Sequence, residues 1–253
     1  MITIMVPALN EELNLRDTIQ SIVRAAEINT VELYIIIVND GSTDNTYDII
    51  CELEREFSFV RSIHNKKNLG VGKSLVQAIK IAKGDKFLIL PGDGDVEEND
   101  ISRLLSNKDK AEMVFLYFPN MEIKGRFRSV LSKMYSTVYI LFFDIYVQYV
   151  MGPCIYPTNK LRELTLKSNR FGIISEITTK ILLLGSTFHE MPAYMRVGAK
   201  GSTSLSVSNI LDVGLTFVRL LLETKIIKVG RNKSSNSHII FLTNIKTPTQ
   251  NFF

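Results

Sequence analysis

Several marks of common protein classes are absent from the 253-residue sequence. Only two cysteines occur, Cys51 and Cys154, and no CxxC pair is present, which argues against a disulfide framework and against a zinc site. The nearest candidate for a membrane-spanning helix, residues 138–151, contains Asp144 and Gln148 and falls short of the roughly 18 apolar residues required. No charged and apolar leader precedes the first strand-like segment, so we expect a cytoplasmic protein without a secretory signal.

Acidic side chains are scarce in the C-terminal fifth of the chain. Residues 1–195 carry 22 basic and 24 acidic side chains, whereas residues 196–253 carry 8 basic and 2 acidic ones. Apolar residues make up 45% of the sequence and charged residues 22%, the balance of an ordinary globular protein. We therefore predict one large domain, or one domain with a small appendage, that ends in a basic segment.

The first half of the chain alternates short apolar segments with segments of helical periodicity. The apolar run at 32–38 is typical of a strand buried on both faces of a parallel sheet. The alternation predicts an α/β fold, an open, mostly parallel, doubly wound sheet with helices on both faces and ligands at the carboxyl ends of its strands. The predicted strands are 2–6, 32–38, 59–64, 86–90 and 112–118, and the predicted helices are 13–26, 44–57, 71–82 and 98–105.

The second half of the chain is predicted to be mainly helical. One or two aromatic-rich helices are expected at 126–151, followed by helices at 175–184 and 205–222. A strand is expected at 189–194, and residues 231–253 are expected to be weakly ordered or to form a short strand and a tail.

Three polar loops follow predicted strands, at residues 7–12, 39–44 and 91–95. Each loop taken alone is also typical of a turn or a helix cap. Parallel strands bring their carboxyl ends to one edge of a sheet, so we expect the three loops to meet in one crevice. Clustered carboxylates repel one another unless a cation compensates, and their hard oxygens favour Mg²⁺ or Mn²⁺ that also binds phosphates. The acidic residues expected in the crevice are Glu11, Asp40, Asp93 and Asp95.

A fourth segment, Asn68-Leu69-Gly70-Val71-Gly72-Lys73-Ser74, leads into a predicted helix. It is not a P-loop, because Lys67 occupies the position where that motif requires glycine. No GxGxxG follows the first strand, so the dinucleotide-binding pattern is also absent. The glycines still allow a diphosphate to approach the backbone at the start of the helix.

Taken in order, VPALNEE, VNDGSTDNT, NLGVGKSLVQAIKIAKGD and an Asp-x-Asp segment resemble family 2 glycosyltransferases. YVMGPCIYPTNKL, FGIISEITTKILLLG and EMPAYMRVGAKGSTSLS are similar to the polyprenol-phosphate (dolichol-phosphate) mannose and glucose synthase branch. The resemblance implies a GT-A fold with a helical C-terminal part. It also implies a nucleotide-sugar-binding half at 1–120, an acceptor-binding half at 121–225 and a basic, polar tail at 226–253.

The resemblance assigns donor-binding roles to the polar loops. Asp93 and Asp95 would hold Mg²⁺ or Mn²⁺ on the sugar diphosphate, and Asp93 matches the family's Asp-x-Asp segment in both possible registers. Asp40 would contact the base or ribose. Where many members have Asp-Asp before Gly-Ser, this chain has Asn39-Asp40. The other donor-binding residues expected are Pro7, Ala8, Asn10, Glu11, Asn68, Gly70 and Lys73.

Two acceptor classes are consistent with the sequence. A saccharide hydroxyl needs a general base, for which Glu176 in the FGIISEI segment is the candidate, whereas a lipid phosphate is already an anion. Glu176 is equally typical of a helix surface or cap. Basic residues would bind a phosphate, although they are also typical of a solvated face. The acceptor-binding candidates are Arg126, Arg128, Lys133, Arg196 and Lys200.

The polar loops and the resemblance together predict a metal-dependent glycosyltransferase, and the resemblance implies that it inverts the anomeric configuration. It would move a sugar from a UDP- or GDP-sugar to a polyprenol phosphate or a glycan in cell-surface polysaccharide synthesis. A non-catalytic nucleotide-sugar-binding or membrane-scaffold protein is the alternative. The basic residues after the last predicted helix would favour peripheral attachment to an anionic membrane surface. No nucleic-acid-binding motif is present, so no nucleic-acid partner is expected.

Overall fold

The computed structural model describes residues 1–120, 122, 126–194 and 207–234. Seven strands and eight helices are assigned in these ranges. The strands are β1 (Ile2–Ala8), β2 (Leu33–Asn39), β3 (Val60–His64), β4 (Lys86–Ile89), β5 (Met113–Tyr117), β6 (Cys154–Pro157) and β7 (Phe188–Pro192). The helices are α1 (Leu15–Ile28), α2 (Thr46–Glu56), α3 (Val71–Ile81), α4 (Glu98–Ser106), α5 (Arg126–Phe143), α6 (Thr158–Glu163), α7 (Gly172–Leu183) and α8 (Val207–Ser234).

All seven strands belong to one sheet with the order β3-β2-β1-β4-β6-β5-β7. Strand β6 is antiparallel to both of its neighbours, β4 and β5, and the other pairings are parallel. The prediction of an open, mostly parallel, doubly wound sheet is therefore confirmed. Strand β6 was not predicted, because four residues after a Gly-Pro turn are too short to show strand periodicity.

Helices cover both faces of the sheet, which explains the continuous apolar runs in its central strands. Ile4 and Ile35 face a core built with α1, α2 and α4, whereas Met5 and Ile36 face a second core built with α3 and α7. Successive side chains of a strand point to opposite faces, so a strand covered on both sides is apolar at most positions, and its rare buried polar side chain, such as Thr3, is hydrogen-bonded. A third cluster, which includes Tyr139, joins α5 to α8.

The second half differs from the prediction mainly in where helices end. The helix expected to reach residue 151 ends at Phe143, because Asp144 adopts a left-handed backbone conformation with φ of 60° that a helix cannot continue. The helix expected at 205–222 is longer and runs to Ser234, so residue 226, the expected start of a tail, lies within α8. Residues 235–253 lie outside the described residues.

Within the described ranges, no helix has both the length and the apolar character required to cross a bilayer.

Candidate functional site

The carboxyl ends of β2, β1 and β4 lie side by side at one edge of the sheet. The backbone N–H of Asp40 donates to the carbonyl of Ala8 at 2.9 Å, and that of Gly92 donates to the carbonyl of Pro7 at 3.3 Å. The three polar loops predicted to converge therefore do converge. Parallel pairing causes this arrangement, since it aligns the ends of neighbouring strands.

The first two loops are bound to each other by short hydrogen bonds. Asn10 has a left-handed φ of 58°, and its side-chain oxygen accepts the N–H of Thr43 at 2.8 Å. The N–H of Glu11 donates to the Thr46 hydroxyl at 2.8 Å, and the Glu12 carboxylate accepts the N–H of Asn45 at 3.0 Å. The amide of Asn10 thus holds the loop after β2 against the loop after β1.

The carboxylates of three loops are close enough to interact electrostatically. The pKa of Glu11 is raised above its usual value, first by burial and then by the negative charges of Asp93, Asp44 and Asp95. A hydrogen bond from Asn14 at 3.1 Å opposes this rise. The Asp93 carboxylate also accepts the N–H of Asp95 at 3.1 Å across a tight turn. Glu11 and the two Asp-x-Asp carboxylates therefore share one crevice.

The chemistry of this acidic crevice fits a divalent cation. Carboxylate oxygens are hard ligands of the kind that Mg²⁺ and Mn²⁺ prefer, and a cation would offset the repulsion acting on Glu11. In the part of the chain that the structure describes, no group of three or more Asp, Glu, His or Cys residues is arranged as a metal site. A cation here would therefore be held by one or two carboxylates together with oxygens of its ligand, which is the usual mode for Mg²⁺.

Asp40 connects the second loop to the segment before α3. Its buried carboxylate accepts the N–H of Leu69 at 2.9 Å and that of Gly70 at 2.8 Å, and a third bond comes from the side chain of Asn65. Gly70 has a φ of 89°, a conformation that glycine adopts without strain. The expected contact of Asp40 with a base or ribose stays a prediction. In the structure, the Asp40 carboxylate holds the backbone of residues 68–70 in place.

A cavity of about 330 Å³ lies beside the start of α3. Lys73 and Gln77 line it from the helix, and Ser168 and Asn169 line it from the segment before α7. The N–H of Gly72 donates to the carbonyl of Asn169 at 3.0 Å, so the two walls are in direct contact. The sequence predicted Lys73 and Gly70 for this region, but it gave no signal for Ser168 and Asn169, because their position depends on packing across the sheet edge.

The candidate base Glu176 is almost fully buried, with 1% of its surface exposed. Its carboxylate accepts the backbone N–H groups of Lys167 and Ser168 at 2.8–3.1 Å and forms an ion pair with Lys180 at 2.6 Å. A general base must reach the proton that it removes. The base role stays a prediction, and in this geometry Glu176 holds the segment that lines the cavity.

The candidate acceptor-binding cations are only partly described. Lys133 is exposed on α5. Arg126 and Arg128 lie in the first turn of the same helix, and the positions of their side chains are not described. Arg196 and Lys200 lie outside the described residues.

One buried carboxylate was not among the predicted site residues. Glu190 lies on β7, and burial raises its pKa to about 7. Its carboxylate accepts the N–H of Gln148 at 2.7 Å and also bonds the backbone of Tyr149. It therefore fastens the segment after α5 to the edge of the sheet. Sequence gave no signal for this role, because the partners are backbone groups about 40 residues away.

Known proteins resemble this chain both in sequence and in fold. Among curated proteins, dolichyl-phosphate beta-glucosyltransferase ALG5D of Trichomonas vaginalis is 27% identical over 125 residues, covering 45% of this chain and 38% of that protein. Glycosyltransferase GlyG of Streptococcus pneumoniae is 29% identical over 130 residues, covering 50% of this chain and 42% of that protein. The matched segments thus span less than half of the length of these relatives.

Solved structures of glucosyl-3-phosphoglycerate synthase from Mycobacterium tuberculosis share the fold. The complex with Mg²⁺ and UDP has a TM-score of 0.66 at 17% identity and covers 87% of this chain and 78% of that one. The complex with Mn²⁺, UDP and glucosyl-3-phosphoglycerate has a TM-score of 0.64 at 16% identity, covering 87% and 79%. The sequence model of the family described as Glycosyl transferase family 2 matches residues 3–163, more than half of the chain. Since this match includes β1, β2 and β4 and the acidic loops that follow them, the chain belongs to glycosyl transferase family 2 and has the GT-A fold.

Proposed function

We propose that this chain transfers a sugar from a nucleotide-sugar donor to a polyprenol phosphate, with inversion at the anomeric carbon and with help from Mg²⁺ or Mn²⁺. The observation that carries the proposal is the acidic crevice of Glu11, Asp93 and Asp95 at the carboxyl ends of β1 and β4. The glycine-rich start of α3 lies at the same edge of the sheet. A nucleoside diphosphate needs a cation and positive charge near its phosphates, and this edge offers carboxylates for the cation and Lys73 at the start of α3.

The residues of the crevice divide the work of binding the donor. Asp93 and Asp95 would hold the cation, and Lys73 at the start of α3 would face the diphosphate. Asp40 fixes the 68–70 backbone in the position that the donor meets. A bound cation would neutralise the charge that builds up on the leaving diphosphate. UDP in the related solved structures supports a uridine donor, and GDP is the alternative.

The surroundings of Glu176 favour an acceptor that needs no base. Its carboxylate is occupied by two backbone N–H groups and by Lys180, so a saccharide hydroxyl could reach it only if the 167–168 segment moved away. A phosphate monoester is already a nucleophilic anion. Relatives named as dolichyl-phosphate glucosyltransferases support the same choice. With such an acceptor we expect peripheral attachment to a membrane and a role in the synthesis of cell-surface glycans.

A transfer assay with purified protein tests the proposal. UDP- and GDP-sugars are offered with Mn²⁺ to a short polyprenyl phosphate and, separately, to a free saccharide. We expect product only on the polyprenyl phosphate and at least a roughly hundredfold lower rate in Asp93→Asn, because that change removes a charged metal ligand.

Asp109→Asn is the matched control, since Asp109 is an exposed aspartate in the loop before β5, at the amino end of that strand. Its rate should equal that of the unmodified protein. If product forms only on the saccharide and Glu176→Gln abolishes it, the acceptor is a sugar hydroxyl and the proposed polyprenol phosphate acceptor is wrong. Equal transfer by Asp93→Asn and the unmodified protein would overturn the site assignment.

A further inference from the structure

Two helices on one side of the molecule expose apolar stripes to solvent. On α8 the exposed apolar residues follow one another at intervals of four, three and four positions, which places them on one helix face. On α5 four more apolar side chains are exposed, and three of them, spaced by four and seven positions, lie on one helix face. The eight side chains are between 52% and 74% exposed. They are Leu211, Leu215, Val218 and Leu222 on α8 and Val130, Met134, Leu141 and Phe142 on α5.

The two stripes form one surface, called here the α5–α8 face. Phe217 of α8 packs against the rings of Tyr139, Phe142 and Phe143 of α5, with ring centroids 5.4–5.7 Å apart. A shallow hollow of about 180 Å³ lies between the helices and is lined by residues that include Met134 and Gly214. Exposed apolar patches of this extent mark interaction sites rather than ordinary solvent-facing surface.

Acidic residues are few on these two helices. The Asp212 carboxylate of α8 accepts the Ser168 hydroxyl and the N–H of Gly172, both at 2.8–2.9 Å. The second acid of α8, Glu223, pairs with Lys167 and Lys180. Both acids of α8 are therefore engaged on the side that packs on α7 and the segment before it, and the sequence of α5 contains no acidic residue.

Both helices of the α5–α8 face carry basic residues. Lys133 is exposed on α5, between the apolar positions 130 and 134. Beyond Leu222, the remainder of α8 carries four basic residues and no acidic residue after Glu223. These four are Lys225, Lys228, Arg231 and Lys233.

We propose that the α5–α8 face is a docking surface for an anionic phospholipid bilayer, with both helices lying in the interface. The apolar stripes would enter the boundary between headgroups and acyl chains, and the basic residues would contact the headgroups. A second copy of this chain is a poorer occupant, because an isologous contact would bring together two copies of helices that each carry more basic than acidic residues. The proposal deepens the proposed function and rests on it in one respect, that a polyprenol phosphate acceptor resides in such a membrane.

The α5–α8 face is linked to the candidate donor site through a short chain of contacts. Asp212 holds Ser168, and the adjacent Asn169 carbonyl accepts the N–H of Gly72 at the start of α3. A bilayer bound to α8 would thus lie one packed segment away from the cavity beside Lys73. This placement suits an acceptor whose phosphate leaves the membrane surface while its chain stays in it.

Vesicle flotation tests the docking surface directly. The full chain is mixed with vesicles of phosphatidylcholine, with or without phosphatidylglycerol, at low and high salt. We expect binding to the phosphatidylglycerol vesicles, weakened by salt, and a loss of roughly tenfold or more in Leu141→Ser/Leu215→Ser. The control Ile28→Ser/Ile81→Ser removes two exposed apolar side chains elsewhere and should bind as the unmodified protein does.

Two outcomes overturn the docking surface. One is equal flotation of the α5–α8 variant and the unmodified protein, or no flotation of either. The other is a dimer in solution that Leu141→Ser/Leu215→Ser converts to a monomer without any vesicle binding, which would assign the face to a second copy. Donor binding followed by thermal shift with UDP and Mn²⁺ separates the two proposals. Failed flotation with intact donor binding counts against the docking surface alone, and the reverse result counts against the proposed function alone.

Discussion

At the scale of single residues, Asp40 connects two of the loops that build the site. We predict that Asp40→Asn lowers the free energy of unfolding by about 1–3 kcal/mol, because an amide cannot accept all three hydrogen bonds and places a donor against backbone N–H groups. Urea unfolding followed by circular dichroism measures the effect. Asp109→Asn should leave the midpoint unchanged, and an unchanged midpoint in Asp40→Asn as well would contradict the positioning role.

Glu190 gives a pH-dependent prediction. Its pKa is about 7 in the folded protein against an ordinary value of 4.5, so its neutral form contributes stability that is complete below pH 4.5 and is lost as the pH rises through 7. Glu190→Gln keeps a neutral acceptor and should gain about 1–2 kcal/mol over the unmodified protein between pH 5 and pH 8. Thermal unfolding of both proteins at the two pH values checks this, and a pH-independent difference would show that Glu190 does not titrate in this range.

At the scale of elements, the start of α3 depends on a close backbone approach. A Cβ atom at Gly72 would lie 2.6 Å from the backbone of Ser168 and Asn169, so Gly72→Ala must displace the segment before α7. We predict a loss of about 1–3 kcal/mol in stability and weaker donor binding, measured by thermal shift with and without UDP. Gly214→Ala is the control, because its Cβ meets nothing within 4 Å and alanine favours a helix. Equal stability of the two variants would contradict the close packing at Gly72.

The elements also show which features sequence could predict. Parallel pairing through backbone hydrogen bonds brings the carboxyl ends of neighbouring strands together. The convergence of the loops after β1, β2 and β4 could therefore be predicted from the alternation of strands and helices. The end of α5 at Phe143 depends on the left-handed backbone of Asp144, and local periodicity does not report such a turn. The partners of Asp40, Glu176 and Glu190 are mostly backbone groups brought close by tertiary packing, which no sequence pattern encodes.

At the scale of the whole molecule, charge and apolar surface are segregated. The acidic crevice lies at the carboxyl ends of β1 and β4, whereas the α5–α8 face is apolar and belongs to two helices that carry more basic than acidic residues. The basic C-terminal fifth of the sequence is thus explained in part by the continuation of α8 beyond Leu222. Residues Ser168 and Asn169 connect α8 to the start of α3, so in the two proposals this segment would lie between the donor and the acceptor's membrane.

Calorimetric titration of UDP and GDP into the protein, with Mn²⁺ and with the metal removed by a chelator, tests the central claim most directly. Because the acidic crevice is expected to hold the cation on the donor diphosphate, one of the two nucleotides should bind only with Mn²⁺. Its affinity should fall at least about tenfold in Asp93→Asn but not in Asp109→Asn. Binding of equal strength with and without Mn²⁺, and in both variants, would contradict a metal-dependent donor site at Asp93.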